Sequence, residues 1–401
     1  MTTQTTAQRR GPSLGERVGL FAQDRGIQLL ILVVILVVVM SILNGAGVTI
    51  GRVNSDYFAS ALISFVPLAL LAIAQLFVIT SGKGGIDLSV GSMVSLSGMA
   101  FGISLVDWGW TVPAAMIFAV IVGTGLGAIN GLLSAYLGYP ALITTLATYY
   151  AYRSIALVVT DQKPVSGSEI QDFYQSVAAV ELPLIGGQLP LFPLGLFTFF
   201  LPVAVIAWLV LNRTAYGRKL YAIGTNDTAA QWAGVDTRRT RLTAFMVSGL
   251  LSGLVGVYTV AQFASARPDA GTAGSGMALP AITIAVLGGV AITGGIGKLG
   301  SVALAALLIT WLNASILMLV PGNEGAQVQL LALGVVLLGA SLLDGWLQNR
   351  RKRGAVKPPT LTAAIALGDK PMVDTPAADT TAAAQGIDEP VDSADSESDS
   401  R

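Results

Sequence analysis

The chain has 401 residues, of which 53% are hydrophobic and only 11% are charged, whereas charged residues make up about 25% of an ordinary soluble domain. This composition indicates a polytopic membrane protein. The sequence contains no cysteine and no histidine, which excludes disulfides, thiolate or imidazole metal ligands, and catalysis by either side chain.

Charge is distributed unevenly along the chain. Basic residues exceed acidic ones up to residue 368 and acidic residues dominate from 369 to 401, so a formal net charge of zero hides a basic body. The acidic tail holds too few apolar residues to offset the entropy of ordering, which predicts disorder. We therefore predict an N-terminal cytoplasmic segment (1–26), a transmembrane domain (27–345) and a cytoplasmic tail that is first basic and then acidic (346–401).

Apolar runs long enough for a roughly 30 Å hydrocarbon core recur between residues 27 and 343. The first run is longer than the core of a cleaved signal peptide, so we expect it to be a retained span. The pattern predicts an all-α polytopic membrane protein with about ten transmembrane helices, including broken helices. The predicted spans are 27–43, 58–80, 88–105, 112–133, 141–160, 192–211, 242–261, 278–292, 299–319 and 328–343.

The orientation of these spans follows from their flanking charges, because Lys and Arg near span ends favour the cytoplasmic side. With a cytoplasmic N-terminus, seventeen Lys and Arg residues up to residue 357 fall in inner segments, and only Arg52, Lys163 and Arg267 fall in outer ones. Both termini and residues 212–241 are therefore predicted to face the cytoplasm.

A glycine-rich stretch, GGIDLSVG at residues 84–91, precedes the third span. Glycines permit a sharp break at membrane depth, where irregular backbone is tolerated only against protein or water. Asp87 is suited to cap the following helix, since exposed amides and the helix dipole favour a carboxylate there. Two roles stay open for this stretch, a structural break and a lining of the translocation path. The candidate residues are Gly85, Asp87, Leu88, Ser89 and Gly91.

Small residues recur at intervals of four on the fourth and seventh spans, and such faces let helix backbones approach closely in lipid. They are Gly123, Gly127 and Gly131 in the fourth span, and Ser248, Gly249, Ser252, Gly253 and Gly256 in the seventh. A short echo also relates residues 79–85 to residues 292–295. It indicates either a duplicated architecture or chance in a glycine-rich chain.

The one long polar interruption in the second half of the chain is residues 212–241. Asn226 is well suited to cap a short helix over residues 227–233, and Gly234 to end it in a left-handed conformation. Asp236 or Thr237 is suited to cap the next helix. A generic positive-inside loop needs arginines but not this series of helix-capping residues. The pattern therefore predicts a compact helix that protrudes into a partner's groove.

Some chemistries have no counterpart in the sequence. There is no GxxxxGK[ST] loop, so the chain does not bind ATP by a P-loop and any ATP dependence must come from a partner. No paired carboxylates lie deep in a span, as a proton-coupled pump usually requires. We predict that the chain is not an enzyme and has no catalytic residues, no metal, no cofactor of its own and no nucleic-acid partner.

Three segments resemble the permease subunits of ABC importers for monosaccharides, the group that includes ribose, xylose, arabinose and galactose permeases. They are GGIDLSVGS (84–92), YAIGTNDTAAQWAGVDTRRTRLTAFMVSGLLSGLVG (221–256) and LGGVAITGGIGKLGSVALAALL (287–308). With the span pattern, the resemblance covers about residues 27–345. The chain departs from the family at residues 81–83, SGK, which lengthen the usual lead into the IDLSVG motif.

The resemblance implies a bacterial cytoplasmic membrane protein surrounded by lipid, paired with a second permease copy or a paralogue. It also implies cytoplasmic ATP-binding subunits and an extracytoplasmic sugar-binding protein, with the pore between the two permeases. The loop that matches residues 224–235 contacts the ATPase in such importers. The coupling candidates are therefore Gly224, Asn226, Asp227, Ala229, Ala230, Gly234 and Val235.

The expected function is ATP-driven, binding-protein-dependent import of a monosaccharide or similar polyol. One alternative is an ABC permease for branched-chain amino acids or another small solute. A second alternative is an ion-coupled secondary transporter, which would also explain the spans and their small-residue packing.

Overall fold

The computed structural model describes residues 25–177, 181–182, 192–274 and 276–354. Most of the predicted N-terminal segment and of the predicted tail lies outside the described residues. Helices dominate the described part, which also contains a short antiparallel pair of strands, β1 (Glu181–Leu182) and β2 (Phe192–Pro193). The predicted all-α fold class is confirmed.

Each predicted span overlaps a helix. The α-helices of the described residues are α1 (Arg25–Gly45), α2 (Ser55–Thr80), α3 (Val90–Val106), α4 (Val112–Gly131), α5 (Ala141–Val158), α6 (Ser168–Val177), α7 (Leu201–Arg213), α8 (Ala215–Thr225), α9 (Asp227–Trp232), α10 (Thr237–Phe263), α11 (Ala278–Leu287), α12 (Leu299–Leu319) and α13 (Gly322–Gly354). Short π-helical segments extend α4 (Leu132–Tyr136) and precede α7 (Leu196–Phe200).

Six helices of the described part are long and apolar enough to cross a membrane: α1, α2, α4, α7, α10 and α12, with the π-helical segments included in α4 and α7. Two more, α3 and α11, are apolar but shorter. The number of ten spans therefore stays a prediction. The helix that contains the seventh predicted span begins five residues before that span, since α10 starts at Thr237 with a polar first turn.

Two helices lie at the centre of the bundle. In each membrane-spanning candidate, the buried share of its own most apolar 18 residues shows how central the helix is. This share is 83% in α2 and 78% in α10, but only 17% in α1 and 22% in α4. α10 packs against α2, α3 and α4, while α11 and α12 pack against α2. The peripheral helices expose apolar side chains outward, as expected for surfaces that meet lipid tails.

Loops that the sequence assigns to one side of the membrane meet in the structure. On the predicted outer side, Val165 and Ala266 exchange backbone hydrogen bonds of 2.9 Å. On the predicted inner side, the Gly295 N–H donates to the Thr80 carbonyl at 3.0 Å. These contacts agree with the predicted alternation of the loops, and the assignment of the inner side to the cytoplasm stays a prediction.

The small-residue faces of α4 and α10, which the sequence predicts to allow close approach of a neighbouring helix, pack directly against each other. A Cβ added to Gly127 would overlap the Phe245 carbonyl oxygen and lie 3.0 Å from Gly249 Cα. A Cβ at Gly253 would lie 2.9 Å from the Ala119 carbonyl oxygen. The two backbones therefore touch without side chains between them. This close approach gives many dispersion contacts, which favour association of helices in lipid.

This packing generates a matched pair of variants on one helix. We expect Gly127→Ala to lower the free energy of unfolding by about 1–3 kcal/mol, because α4 and α10 must separate to admit the methyl group. Gly125→Ala is the control, since a Cβ there meets nothing within 4 Å and alanine favours the helix by about 1 kcal/mol. The measurement is the apparent Tm of the purified proteins in detergent. Equal Tm values for the two variants would contradict the packing.

Candidate functional site

The polar stretch between α7 and α10 is built from short helices with successive N-caps. The side-chain oxygens of Thr214, Asn226 and Asp236 each accept a hydrogen bond from the backbone N–H three residues later, at 3.2, 3.0 and 2.9 Å. They cap α8, α9 and α10 respectively. The caps at Asn226 and Asp236 confirm the sequence predictions.

Helix α8 was not predicted from the sequence. Its buried residues Gly217, Leu220 and Ile223 are spaced by three, and this helical spacing directly after Thr214 is the signal that would have found it.

The C-terminal end of α9 is a Schellman turn, as the glycine predicts. Gly234 has a φ of +79°. Its N–H donates to the Gln231 carbonyl at 2.9 Å, and the Val235 N–H donates to the Ala230 carbonyl at 3.0 Å. These bonds satisfy carbonyls that the end of a helix leaves open. The short helix is therefore fixed at both ends by local chemistry.

The two faces of α9 differ in what they contact. Ala230 and Asp227 face the bundle, with 5% exposure of the Ala230 residue and 16% of the Asp227 side chain. Ala229 is exposed, and Trp232 is 87% exposed. Trp232 was not singled out from the sequence; the available signal was a lone tryptophan in a polar loop.

Gly224, another coupling candidate, lies where the loop packs against the bundle. A Cβ there would overlap the Thr80 carbonyl oxygen and Gly295 N. A Cβ at Gly294 would lie 2.8 Å from Gly82 N and 3.1 Å from the Gly224 carbonyl oxygen. The two glycine-rich stretches that echo each other in sequence therefore meet each other, and the end of α8 packs against both. We call this contact of residues 80–82, 224–225 and 294–295 the glycine junction.

The predicted break before α3 is present, but Asp87 does not cap the helix. The N-cap position is taken by Ser89, whose side chain makes no capping bond, and α3 begins at Val90. Asp87 Oδ1 instead accepts from the Ser89 N–H at 3.0 Å and from Ser89 Oγ at 2.6 Å. Asp87 Oδ2 accepts from Ser248 Oγ of α10 at 2.8 Å. The capping prediction is therefore wrong, because the break runs two residues further and turns the carboxylate towards α10.

Further buried side chains extend this network across the bundle. Gln75 of α2 holds the Asp87 backbone, donating to its carbonyl at 2.6 Å and accepting from its N–H at 3.3 Å. Asn130 of α4 donates to Ser89 Oγ at 2.7 Å and accepts from Thr148 Oγ1 of α5 at 2.7 Å. We call these residues, with Ser248, the buried network; it links the break to four helices.

The other residues of the break are packed as well. A Cβ at Gly85 would lie 2.6 Å from the Val78 carbonyl oxygen, and one at Gly91 would overlap the Gly271 carbonyl oxygen. Leu88 is half-buried, while Asp87 and Ser89 have no exposed surface. The structure shows a rigid break in the middle of the bundle, and a role in lining the translocation path stays a prediction.

Comparison with known proteins gives consistent matches. The family described as "Branched-chain amino acid transport system / permease component" matches residues 57–343. The chain is 34% identical to the D-allose transport system permease protein AlsC of Escherichia coli (strain K12) over 278 residues, which are 69% of this chain and 79% of AlsC. It is 36% identical to the autoinducer 2 import system permease protein LsrC of Enterobacter sp. (strain 638) over 288 residues, 71% of this chain and 78% of LsrC.

A third relative is the ribose import permease protein RbsC of Haemophilus influenzae, 32% identical over 285 residues, 71% of this chain and 83% of RbsC. Such permeases work with separate ATP-binding subunits and substrate-binding proteins, so the chain is not itself an enzyme. The alternative of an ion-coupled secondary transporter is wrong. The matched region, the similar relatives and the apolar helices lead to one conclusion: the chain belongs to the permease subunits of monosaccharide-type ABC importers, which are multi-pass proteins of the inner membrane.

Proposed function

We propose that this permease imports a monosaccharide or similar polyol, with both termini in the cytoplasm and residues 224–235 as the contact with the ATP-binding subunits. It pairs with a second permease copy or a paralogue and receives its substrate from an extracytoplasmic sugar-binding protein. The names of the allose and ribose permeases support a sugar substrate. The flanking charges support the orientation.

One observation carries the assignment of the ATPase contact: a short helix, capped at both ends, presents a tryptophan that is 87% exposed. Tryptophan is enriched among the residues that dominate binding energy at protein interfaces. Ala229 and Thr228 keep the exposed face of α9 slim beside Trp232. A slim helix with one large aromatic side chain fits a groove in a partner protein.

The fold also supports a route for movement. Four residues separate the end of α9 from the start of α10, so the two helices are joined by a short turn. α10 is one of the two central helices and packs against α2, α3 and α4. Closure of the ATP-binding subunits would push on α9, and α10 would transmit this movement to the middle of the bundle.

The buried network argues for a sugar path outside the core of the single permease. A sugar needs free hydrogen-bond donors and acceptors, and the amide groups of Gln75 and Asn130 each both donate and accept within the protein. Thr145 Oγ1 likewise donates to the Ile86 carbonyl at 3.2 Å. We propose that these residues shape the bundle and that the substrate passes between two permease copies.

The substrate class is tested by uptake into proteoliposomes that contain the permease, its ATP-binding subunits and the binding protein. We expect uptake of at least one pentose or hexose, complete dependence on ATP, and no loss with an uncoupler. A panel of branched-chain amino acids is the control. Uptake of an amino acid without any sugar would overturn the proposed substrate.

The docking contact is tested by Trp232→Ala. Loss of a central aromatic anchor typically costs 2 kcal/mol or more, so we expect about 30-fold weaker association with the ATP-binding subunit. The measurement is titration of the purified subunits, with uptake as a second readout. Trp108→Ala is the matched control, since Trp108 is 53% exposed in a predicted outer loop. If both variants bind the ATP-binding subunit as the unmodified permease does, the docking proposal fails.

The end of α9 is tested by two substitutions at Gly234. A Cβ there meets nothing within 4 Å, but φ is +79°, so only backbone preference separates the variants. Gly234→Val imposes a left-handed strain of roughly 1–2 kcal/mol or more, whereas Asn tolerates this conformation. We expect the Val variant to hydrolyse more ATP for each sugar imported and the Asn variant to stay close to the unmodified protein. Identical ratios in both would count against a coupling role for this turn.

A further inference from the structure

The residues that lengthen the lead into the break form a turn of unusual geometry. Gly82, Lys83 and Gly84 have consecutive positive φ angles of +75°, +53° and +67°. A lysine in the left-handed region is uncommon, and such conformations persist where the surroundings hold them. The turn brings Lys83 to α9, where its Nζ lies 2.7 Å from Asp227 Oδ2.

Asp227 has a second cationic partner in the first part of α10. Arg241 Nη2 lies 2.8 Å from Asp227 Oδ1 and donates to the Ser81 carbonyl at 3.2 Å. Only 5% of the Arg241 side chain is exposed. One arginine therefore joins α9, α10 and the turn that carries Lys83. The pair of Arg241 with Asp227 is shielded from water and is therefore stronger than an isolated surface pair, whereas the Lys83 side chain is 61% exposed and adds a weaker contact.

The charge state of Asp227 suits this arrangement. Partial burial raises the pKa of its carboxyl group, but the hydrogen bonds and charges of Lys83 and Arg241 outweigh that effect and hold the pKa below its usual range. The carboxylate is therefore ionised at neutral pH. This contribution to stability is present above the unfolded-state pKa and is lost as the pH falls through the lower folded-state pKa.

The glycine junction ties the same segments a second time. A Cβ at Gly82 would lie 3.0 Å from Gly224 Cα, so no side chain separates the turn from the end of α8. The Gly295 N–H closes the junction by its bond to the Thr80 carbonyl. Because close-packed backbones transmit strain rather than absorb it, the turn and the α8–α9 connection cannot slide past each other.

The turn leads directly to the buried network. The Gly85 N–H donates to the Gly82 carbonyl at 3.0 Å, and Asp87 follows two residues later. Asp87 is bonded to Ser248 of α10 and to Gln75 of α2. A displacement of α9 therefore reaches Asp87 through the four residues that follow Lys83, and it reaches the start of α3 at Val90 three residues further on.

We propose that Lys83, Asp227 and Arg241 form a strut that makes α9 and the break before α3 move as one body during the transport cycle. Lys83 is then a positioning residue for coupling, acting through Asp227. This inference rests on the proposed function, because it assumes that the ATP-binding subunit acts on α9.

The first test compares Lys83→Met with Lys219→Met in the complete transporter in proteoliposomes. Lys219 is also exposed, and it lies on α8 in the stretch of residues 212–241 that carries Asp227. We expect Lys83→Met to reduce the number of substrate molecules imported per ATP about threefold, the range of a partly exposed ion pair. Binding of the ATP-binding subunit should be unchanged, and Lys219→Met should change neither quantity. An unchanged import ratio in Lys83→Met overturns the strut.

The second test uses the absence of cysteine from the chain. A Lys83→Cys, Asp227→Cys double variant, assembled with cysteine-free partner subunits, loses the ion pair and is expected to be poorly coupled when reduced. A short bis-methanethiosulfonate reagent then replaces the ion pair by a link of two disulfides, with a sulfinate leaving from each end of the reagent, and a reductant can cleave this link. We expect the link to restore import per ATP at least threefold, because the segments move together. If the link abolishes import and a reductant restores it, the segments must separate and the proposal is wrong.

These readouts separate the two proposals. Normal binding of the ATP-binding subunit by Trp232→Ala would remove the docking proposal. Normal docking with an unchanged import ratio in Lys83→Met would remove the strut alone.

Discussion

The rest of the structure depends on direct backbone contact between α10 and its neighbours. In lipid, apolar side chains gain little by packing against each other, so association relies on close approach and hydrogen bonding. Gly127 on α4 faces Gly249 on α10, and Gly256 on α10 faces Gly98 on α3, where an added Cβ would lie 2.8 Å from Gly98 N. Only at this separation does Ser248 of α10 come within 2.8 Å of the Asp87 carboxylate. The small residues therefore create the geometry that the polar contacts use.

The buried network shows what that geometry permits. A carboxylate without exposed surface is costly unless its oxygens accept several hydrogen bonds, and Asp87 accepts three, two from Ser89 and one from Ser248. Gln75 satisfies the backbone that the break leaves open, as irregular backbone at membrane depth requires. A satisfied polar network specifies one arrangement of the helices around it. The break is thereby held in a single register against α2, α4, α5 and α10.

The features that sequence reasoning predicted correctly are those with local causes. The caps at Asn226 and Asp236 and the left-handed Gly234 depend on residues within five positions, and the helices follow from apolar runs. The cap assigned to Asp87 failed because its partner Ser248 lies 161 positions away, and no local rule reports such a contact. The link from Lys83 to Asp227 is hidden for the same reason. The repeated glycine stretches suggested duplication or chance, and the structure adds that they touch.

The inward direction of the Asp227 side chain has a consequence for how the permease would recognise its ATP-binding subunit. Asp227 is the one charged residue of α9, and its carboxylate is turned away from solvent to pair with the buried Arg241 and with Lys83 of the neighbouring turn. The exposed face of α9 itself thus carries no charged side chain, and docking of an ATP-binding subunit there, as proposed, would depend on shape and apolar burial rather than on charge. Ionic strength has little influence on such contacts. In a cell with many related ATP-binding subunits, the fit of one tryptophan into its groove, more than electrostatic steering, would decide which subunit this permease accepts.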